Sequence, residues 1–279
     1  DRIGMQILEQ AGFDPRAMPA FFEQMQNLNR LNDTSLPEFL RTHPVTTSRI
    51  ADSRNRAEKF RVRQTPDSSD FQHVRAKIRA LASGNADEIA RGFKENLAQG
   101  KYLNAEAVRY GYVVALLRTR QISTARVEIE KLIAKQPNRI SYRILEAETE
   151  MAAENYPQAL AMYANVHAKT PSSAPLMHYY VSALLKTGKH RQAKDLLKTA
   201  LQRRPEDPEL YRMLAQAAGG VGDNYEAHKA QGEYYYLNGN PRAAIEQFQL
   251  AGRYVGENFY LQSSLEARIA AIKEELAAY

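Results

Sequence analysis

Residues able to do chemistry are few in this chain, and their spacing limits what they can do. Its 279 residues include 6 histidines and no cysteine. Without cysteine there is no disulfide, no thiolate metal site and no thiol nucleophile. The histidines are His43, His73, His167, His178, His190 and His228. No two stand four apart, so no helix can turn two imidazoles of one face toward a metal. A catalytic zinc needs about three protein ligands, and one isolated histidine does not supply them. His43 is the sharpest single residue. It stands between Thr42 and Pro44, and the proline pushes its backbone out of helix, so the ring is offered from a loop. Two readings stay open for it: a residue lining a metal site, or a structural histidine bonded to a backbone carbonyl. The other histidines read as surface or packing residues, with His178 on a first helix where it can face a groove.

The elements that position such residues are set by a repeat. Pro137, Pro171 and Pro205 stand 34 residues apart. Three further columns keep the same step: Ala125, Ala159, Ala193; Ile129, Tyr163, Leu197; and Leu132, Val166, Ala200. A small residue suits the place where two helices of one unit cross. The large residue one turn later fills the space between units, and the proline follows a helix that it cannot continue. Period 34 with Ala, a large apolar residue and then Pro is the tetratricopeptide signature. The expected units are 106–139, 140–173 and 174–207, with Gly188 at the turn inside the third, where a left-handed backbone suits glycine.

The pattern then slips by half a repeat. Asp207-Pro208 opens a helix, and Gly219-Gly220 and Gly222 end it. The next matching alanine is Ala244, 51 residues after Ala193, followed by Phe248 and Ala251. A helix over about 224–238 is therefore expected to serve two units, second helix of one and first of the next. A last helix over 258–277, with Leu261, Leu265, Ile269 and Ile272, is expected to cap the apolar end. Upstream, helices over 71–82 and 85–98 form a degenerate first pair, the second opened by Asn85 with Glu88 three residues on.

Before Phe71 the period is absent. The polar stretch at 64–70 reads as a linker, and residues 1–63 read as helices near 1–11, 15–30, 36–41 and 47–60. Asp1 opens straight into a helical pattern with no leader, so the chain is expected to be a piece of a protein that extends upstream. Arg49, Arg54, Arg56, Lys59, Arg61 and Arg63 read as the exposed face of a helix.

Three short motifs in residues 1–63 carry a resemblance: Asp1-Arg2-Ile3-Gly4, Ala11-Gly12-Phe13-Asp14-Pro15, and Thr42-His43-Pro44 with Ser48-Arg49-Ile50. In this order they are similar to the end of the catalytic domain of gluzincin metallopeptidases. The branch resembled is that of BepA-like bacterial periplasmic proteins, which join such a peptidase to C-terminal tetratricopeptide repeats. The resemblance implies a His-Glu-x-x-His zinc helix upstream and therefore an incomplete site in this chain, inactive by itself. It implies that Asp1 orients a zinc-bound histidine, that His43 lies near the zinc, and that Arg49 holds the His43 loop through a carboxylate. It also implies a periplasmic location and work in outer-membrane protein quality control, chaperone-like, beside the assembly machinery.

The expectation is thus an all-α chain: 1–63 the helical end of a zinc metallopeptidase domain, 64–70 a linker, 71–279 a tetratricopeptide solenoid that binds protein. In repeats of this class the first helices line the concave face, which maps here to Tyr110, Arg118, His178, Lys186, Lys229 and Tyr236. Such a groove suits an acidic peptide or carboxylate through charge-assisted hydrogen bonds. The alternative is a non-enzymatic tetratricopeptide adaptor. The net charge of +6 is spread through the chain rather than gathered in a stripe, so no nucleic-acid partner is expected. No stretch approaches the roughly 18 apolar residues of a membrane span.

Overall fold

The computed structural model of the protein describes residues 1–31, 47–61 and 67–277, and within them every regular element is an α-helix. The chain divides into two compact units, Asp1–Phe71 and Gln72–Tyr279.

The first unit contains α1 (Arg2–Gln10), α2 (Ala17–Leu31) and α3 (Thr47–Ala57). Its core is small: Phe22, Met25 and Ile50 pack together, with Met18 against them. Met5 of α1 is fully buried. The Ala11-Gly12-Phe13-Asp14-Pro15 segment makes the turn from α1 to α2. Gly12 takes the left-handed conformation, φ 83°, and the Phe13 amide returns to the Leu8 carbonyl at 2.8 Å, which closes the helix end. The Asp14 carboxylate accepts from the Arg16 amide at 3.0 Å and pairs with its guanidinium at 2.8 Å. The helix expected at 36–41 lies outside the described residues.

The second unit opens with α4 (Ser69–Leu81) and α5 (Ala86–Ala98) and continues as a row of helix hairpins: α6 (Ala105–Arg118) with α7 (Ile122–Lys135), α8 (Ile140–Ala152) with α9 (Tyr156–Lys169), and α10 (Ala174–Lys186) with α11 (His190–Arg203). Then come α12 (Pro208–Gly220), α13 (Asn224–Leu237), α14 (Pro241–Gly252) and α15 (Phe259–Ala277). Side-chain caps open several first helices. Asn104, Ser173 and Asp207 each accept from amides of the first turn, which satisfies donors that have no helical partner.

The 34-residue columns are the core. Ala125, Ala159 and Ala193 are fully buried, and Ile129, Tyr163 and Leu197 nearly so. Ala244, Phe248 and Ala251 repeat the arrangement after the slip. Helix α13 packs as extensively on α12 before it as on α14 after it, so it serves both neighbours. Successive first helices touch: α6 with α8, α8 with α10, α10 with α12. Among the described residues, no second helix makes more than a marginal contact with the next second helix. Each hairpin is therefore a wedge, narrow on the side of the first helices, and that side is the inner wall of the curve.

From α6 to α13, the turn between the two helices of a unit uses one left-handed residue, again at a step of 34: Arg120 (φ 58°), Glu154 (φ 63°), Gly188 (φ 72°) and Gly222 (φ 78°). Two of these are not glycine. An L side chain in this conformation costs roughly 1–2 kcal/mol, against about 0.5–1 kcal/mol of extra chain entropy that glycine loses on folding. Arg120→Gly and Glu154→Gly are each expected to raise stability by about 0.5–1 kcal/mol in urea denaturation. Gly188→Ala is expected to lower it by about 1 kcal/mol.

Candidate peptide-binding groove

Three helices bring one residue each to the middle of the inner wall, Lys77 on α4, Glu148 on α8 and Tyr179 on α10, with the buried Tyr110 of α6 close to Lys77. The Lys77 ammonium donates a hydrogen bond to the Tyr179 hydroxyl and lies 4.9 Å from the centre of its ring. This contact joins helices 102 residues apart in sequence. Beside it is a cavity of about 300 Å³ whose walls include Leu117, Glu148, Met151, Tyr163, Tyr179 and Lys186. On α10 the lining residues are Tyr179, Ser182, Ala183 and Lys186. They recur at i, i+3, i+4 and i+7, one face of a helix.

Burial pushes the Glu148 carboxyl up to about 7, and the Lys77 charge only partly opposes it. Glu148 is half-buried. Burial also pulls on Lys77, but the bond to Tyr179 and the nearby Tyr110 and Glu148 outweigh it and hold its pKa above the ordinary lysine value. The Tyr110 hydroxyl is pushed up to about 12, chiefly by burial, and burial pushes Tyr163 up as well. Near neutral pH the wall thus offers a carboxyl able to donate or accept a proton, one ammonium above a phenol ring, a second ammonium at the rim and apolar surface between them. That set can hold a polypeptide by hydrogen bonds and ring contacts.

The six residues mapped from sequence take different places. Lys186 lines the cavity, with its ammonium 5.8 Å from the Tyr156 ring centre. Arg118 donates to the carbonyls of Ala80 and Ala82 and so caps the end of α4. Tyr110 is buried against the rings of His73 and Tyr142. His178 turns toward Asp207, its Nε2 3.6 Å from the carboxylate. Lys229 stands 5.9 Å from the Tyr225 ring centre. Tyr236 donates to Glu275 of α15 at 2.8 Å and carries the Arg268 guanidinium 4.2 Å above its ring. The column of Tyr110 and His178 sits one position before that of Tyr179, and one residue is about 100° of rotation on a helix. Lys77, Glu148 and Tyr179 were not singled out by the sequence. Lys77 stands 102 residues before Tyr179, three steps of the period, and the stripe from Tyr179 to Lys186 could likewise have been found from its spacing.

In the first unit two residues of the motifs meet. The Arg49 guanidinium donates to both oxygens of Asp1, at 2.6 Å each, and lies 4.7 Å over the Phe22 ring. His43 lies outside the described residues. Among the described residues no group of three or more His, Cys, Asp or Glu could hold a metal ion, and Asp1 already gives each oxygen to Arg49. These residues do not by themselves fit a zinc ion. No described helix is long and apolar enough to cross a membrane.

A tetratricopeptide-repeat family model matches residues 150–218. The repeats are tetratricopeptide repeats. The chain as a whole is similar to the beta-barrel assembly-enhancing proteases of Escherichia coli (strain K12), 27% identical over 98% of this chain, and of Yersinia pestis, 28% identical over 98%. It spans 56% of the length of each. A solved tetratricopeptide protein of Thermus thermophilus covers 73% of this chain and is itself covered over 98%, at 18% identity and a TM-score of 0.45, too loose a superposition to speak of function.

Glu148 makes the stability of the tetratricopeptide array depend on pH. Below its unfolded pKa, near 4.5, the carboxyl is protonated in both states and its contribution is fully present. As pH rises through about 7 the folded protein must ionise a group that the unfolded chain ionises earlier, and that stability is lost. Glu148→Gln is expected to narrow the stability difference between pH 5 and pH 8.5 by on the order of 1–3 kcal/mol, read from urea melts at the two pH values. An unchanged difference would contradict the assignment.

Proposed function

We propose that this chain is the protein-binding portion, with the adjoining end of the catalytic domain, of a zinc metalloendopeptidase that acts in the periplasm on outer-membrane proteins. The observation that carries the reading is the end-to-end similarity to beta-barrel assembly-enhancing proteases over 98% of the chain. That alignment runs over 275 residues, so it takes in most of both units. In this reading the repeats recruit a substrate or a partner of the outer-membrane assembly machinery, and the inner wall around Lys77, Glu148, Tyr179 and Lys186 receives it. The first unit supports the catalytic part: Arg49 holds Asp1 in place, and Asp1 orients a histidine that binds the zinc. The zinc ligands themselves belong to the part of the protein that this chain does not span.

Two experiments test this. In the full protein, zinc content and cleavage of an unfolded outer-membrane protein are measured for the natural sequence and for His43→Ala. A zinc-dependent peptidase is expected. A full protein without bound zinc or cleavage sinks the peptidase reading and leaves a non-enzymatic adaptor. Unchanged zinc affinity and cleavage in His43→Ala removes His43 from the zinc site.

For the groove, the same full protein is used to capture partners from an envelope extract. Tyr179→Ala with Lys186→Glu is expected to reduce specific capture at least about fivefold while helicity is kept, since ring and charge contacts of this kind contribute about 1 kcal/mol or more each. Undiminished capture places the binding surface elsewhere.

A further inference from the structure

Away from the inner wall, the turn between α9 and α10 covers a second cavity, of about 270 Å³. It lies between the end of α9 and the last turns of α11. His167 of α9 and Arg203 and Arg204 at the end of α11 line it, with the hydroxyl residues Ser172 and Thr199. Met177 and Leu196 are among its apolar residues. No carboxylate is among its lining residues.

The partners of these cations differ. Arg204 is paired with Asp207 at 3.1 Å. Arg203 is exposed and, among the described residues, no carboxylate lies within ion-pair distance of it. His167 is half-buried, and its Nδ1 is wholly buried without a hydrogen-bond partner. The pocket therefore combines the Arg203 charge, set against no carboxylate, with an imidazole in its wall and an apolar floor.

We propose that this cavity is a second ligand site on the repeats, one that takes a peptide carboxylate carried next to an apolar group. Arg203 holds the carboxylate, with Arg204 adding charge behind it. The His167 ring forms part of the wall beside the carboxylate, and the apolar part lies over Met177 and Leu196. A bare inorganic anion would leave the apolar floor unused, which is why a carboxylate on a carbon stem is preferred. Two sources offer this chemistry: the C-terminal end of a chain and a glutamate side chain. The pKa of His167 agrees with the geometry. Burial lowers it, and the Arg203 charge lowers it further, so an anion set against Arg203 relieves part of that depression. The site does not depend on the groove or on any peptidase activity.

The test uses the full chain with 13C-labelled histidine and follows the His167 ring by NMR. The probes are N-acetyl-leucine for a chain end, the α-amide of N-acetyl-glutamate for a side chain, N-acetyl-leucinamide as a control without a carboxylate, and inorganic phosphate. At least one carboxylate probe is expected to shift the His167 resonances saturably and to raise its pKa, and whichever binds more tightly names the source. Arg203→Gln is expected to weaken that binding about tenfold, as loss of a charge-assisted hydrogen bond does. Lys186→Ala, in the groove, is expected to leave it unchanged. Equal shifts with N-acetyl-leucinamide, tighter binding of phosphate, undiminished binding in Arg203→Gln, or no saturable shift with either carboxylate would each overturn the proposal.

Discussion

The close crossing of two helices over a single methyl group is the contact on which the repeats depend. At Ala125, Ala159 and Ala193 the side chain is fully enclosed. Only a small residue lets the helices of a hairpin approach near the lower end of the usual interaxial range, about 8–10 Å. One turn on, Ile129, Tyr163 and Leu197 are buried in turn, and a side chain of this size stabilises by about 1.5–3 kcal/mol when removed from water. The small residue sets the approach of the helices, and the large one sets the distance to the next hairpin. Together they make each hairpin narrower on one side than the other.

The character of the inner wall follows from that asymmetry. Because first helices touch one another, their side chains converge. Convergence takes water away from Glu148, and its proton is consequently held to higher pH. It also brings Lys77 to Tyr179 from a helix 102 residues away in sequence. The tetratricopeptide scaffold thus creates an unusual electrostatic setting with ordinary residues, simply by crowding them. This is the physical link between the alanine column and the groove proposed to receive a polypeptide.

Much of the architecture was legible because the period constrains many residues at once. Four columns in one register located the hairpins and, through the 51-residue step to Ala244, the helix that serves two neighbours. The groove was less legible. Lys186 came from the right column, whereas Tyr110 and His178 came from the column one residue earlier, which points between helices. A period fixes which residues are equivalent, not the angle at which a given position faces the wall. Lys77 stands three steps of 34 before Tyr179, but in the degenerate first pair the alanine and proline columns are replaced by Arg91 and Leu103, so nothing marked it as equivalent. In the first unit, short motifs marked Asp1 and Arg49 separately. Their mutual bonds at 2.6 Å needed the folding of α1 against α3 to become visible.

Helix α13 has a consequence for how the array can change in length. It is packed as fully on its predecessor as on its successor, so it presents two adhesive flanks instead of one. Elsewhere the smallest piece that could be lost or gained with both flanks still matched is a whole hairpin. Here a lone helix satisfies the rule, because the junction reads the same whether counted from the left or from the right. The increment of growth at this end of the protein is therefore half a repeat, and the array can end on an odd number of helices without leaving a bare seam.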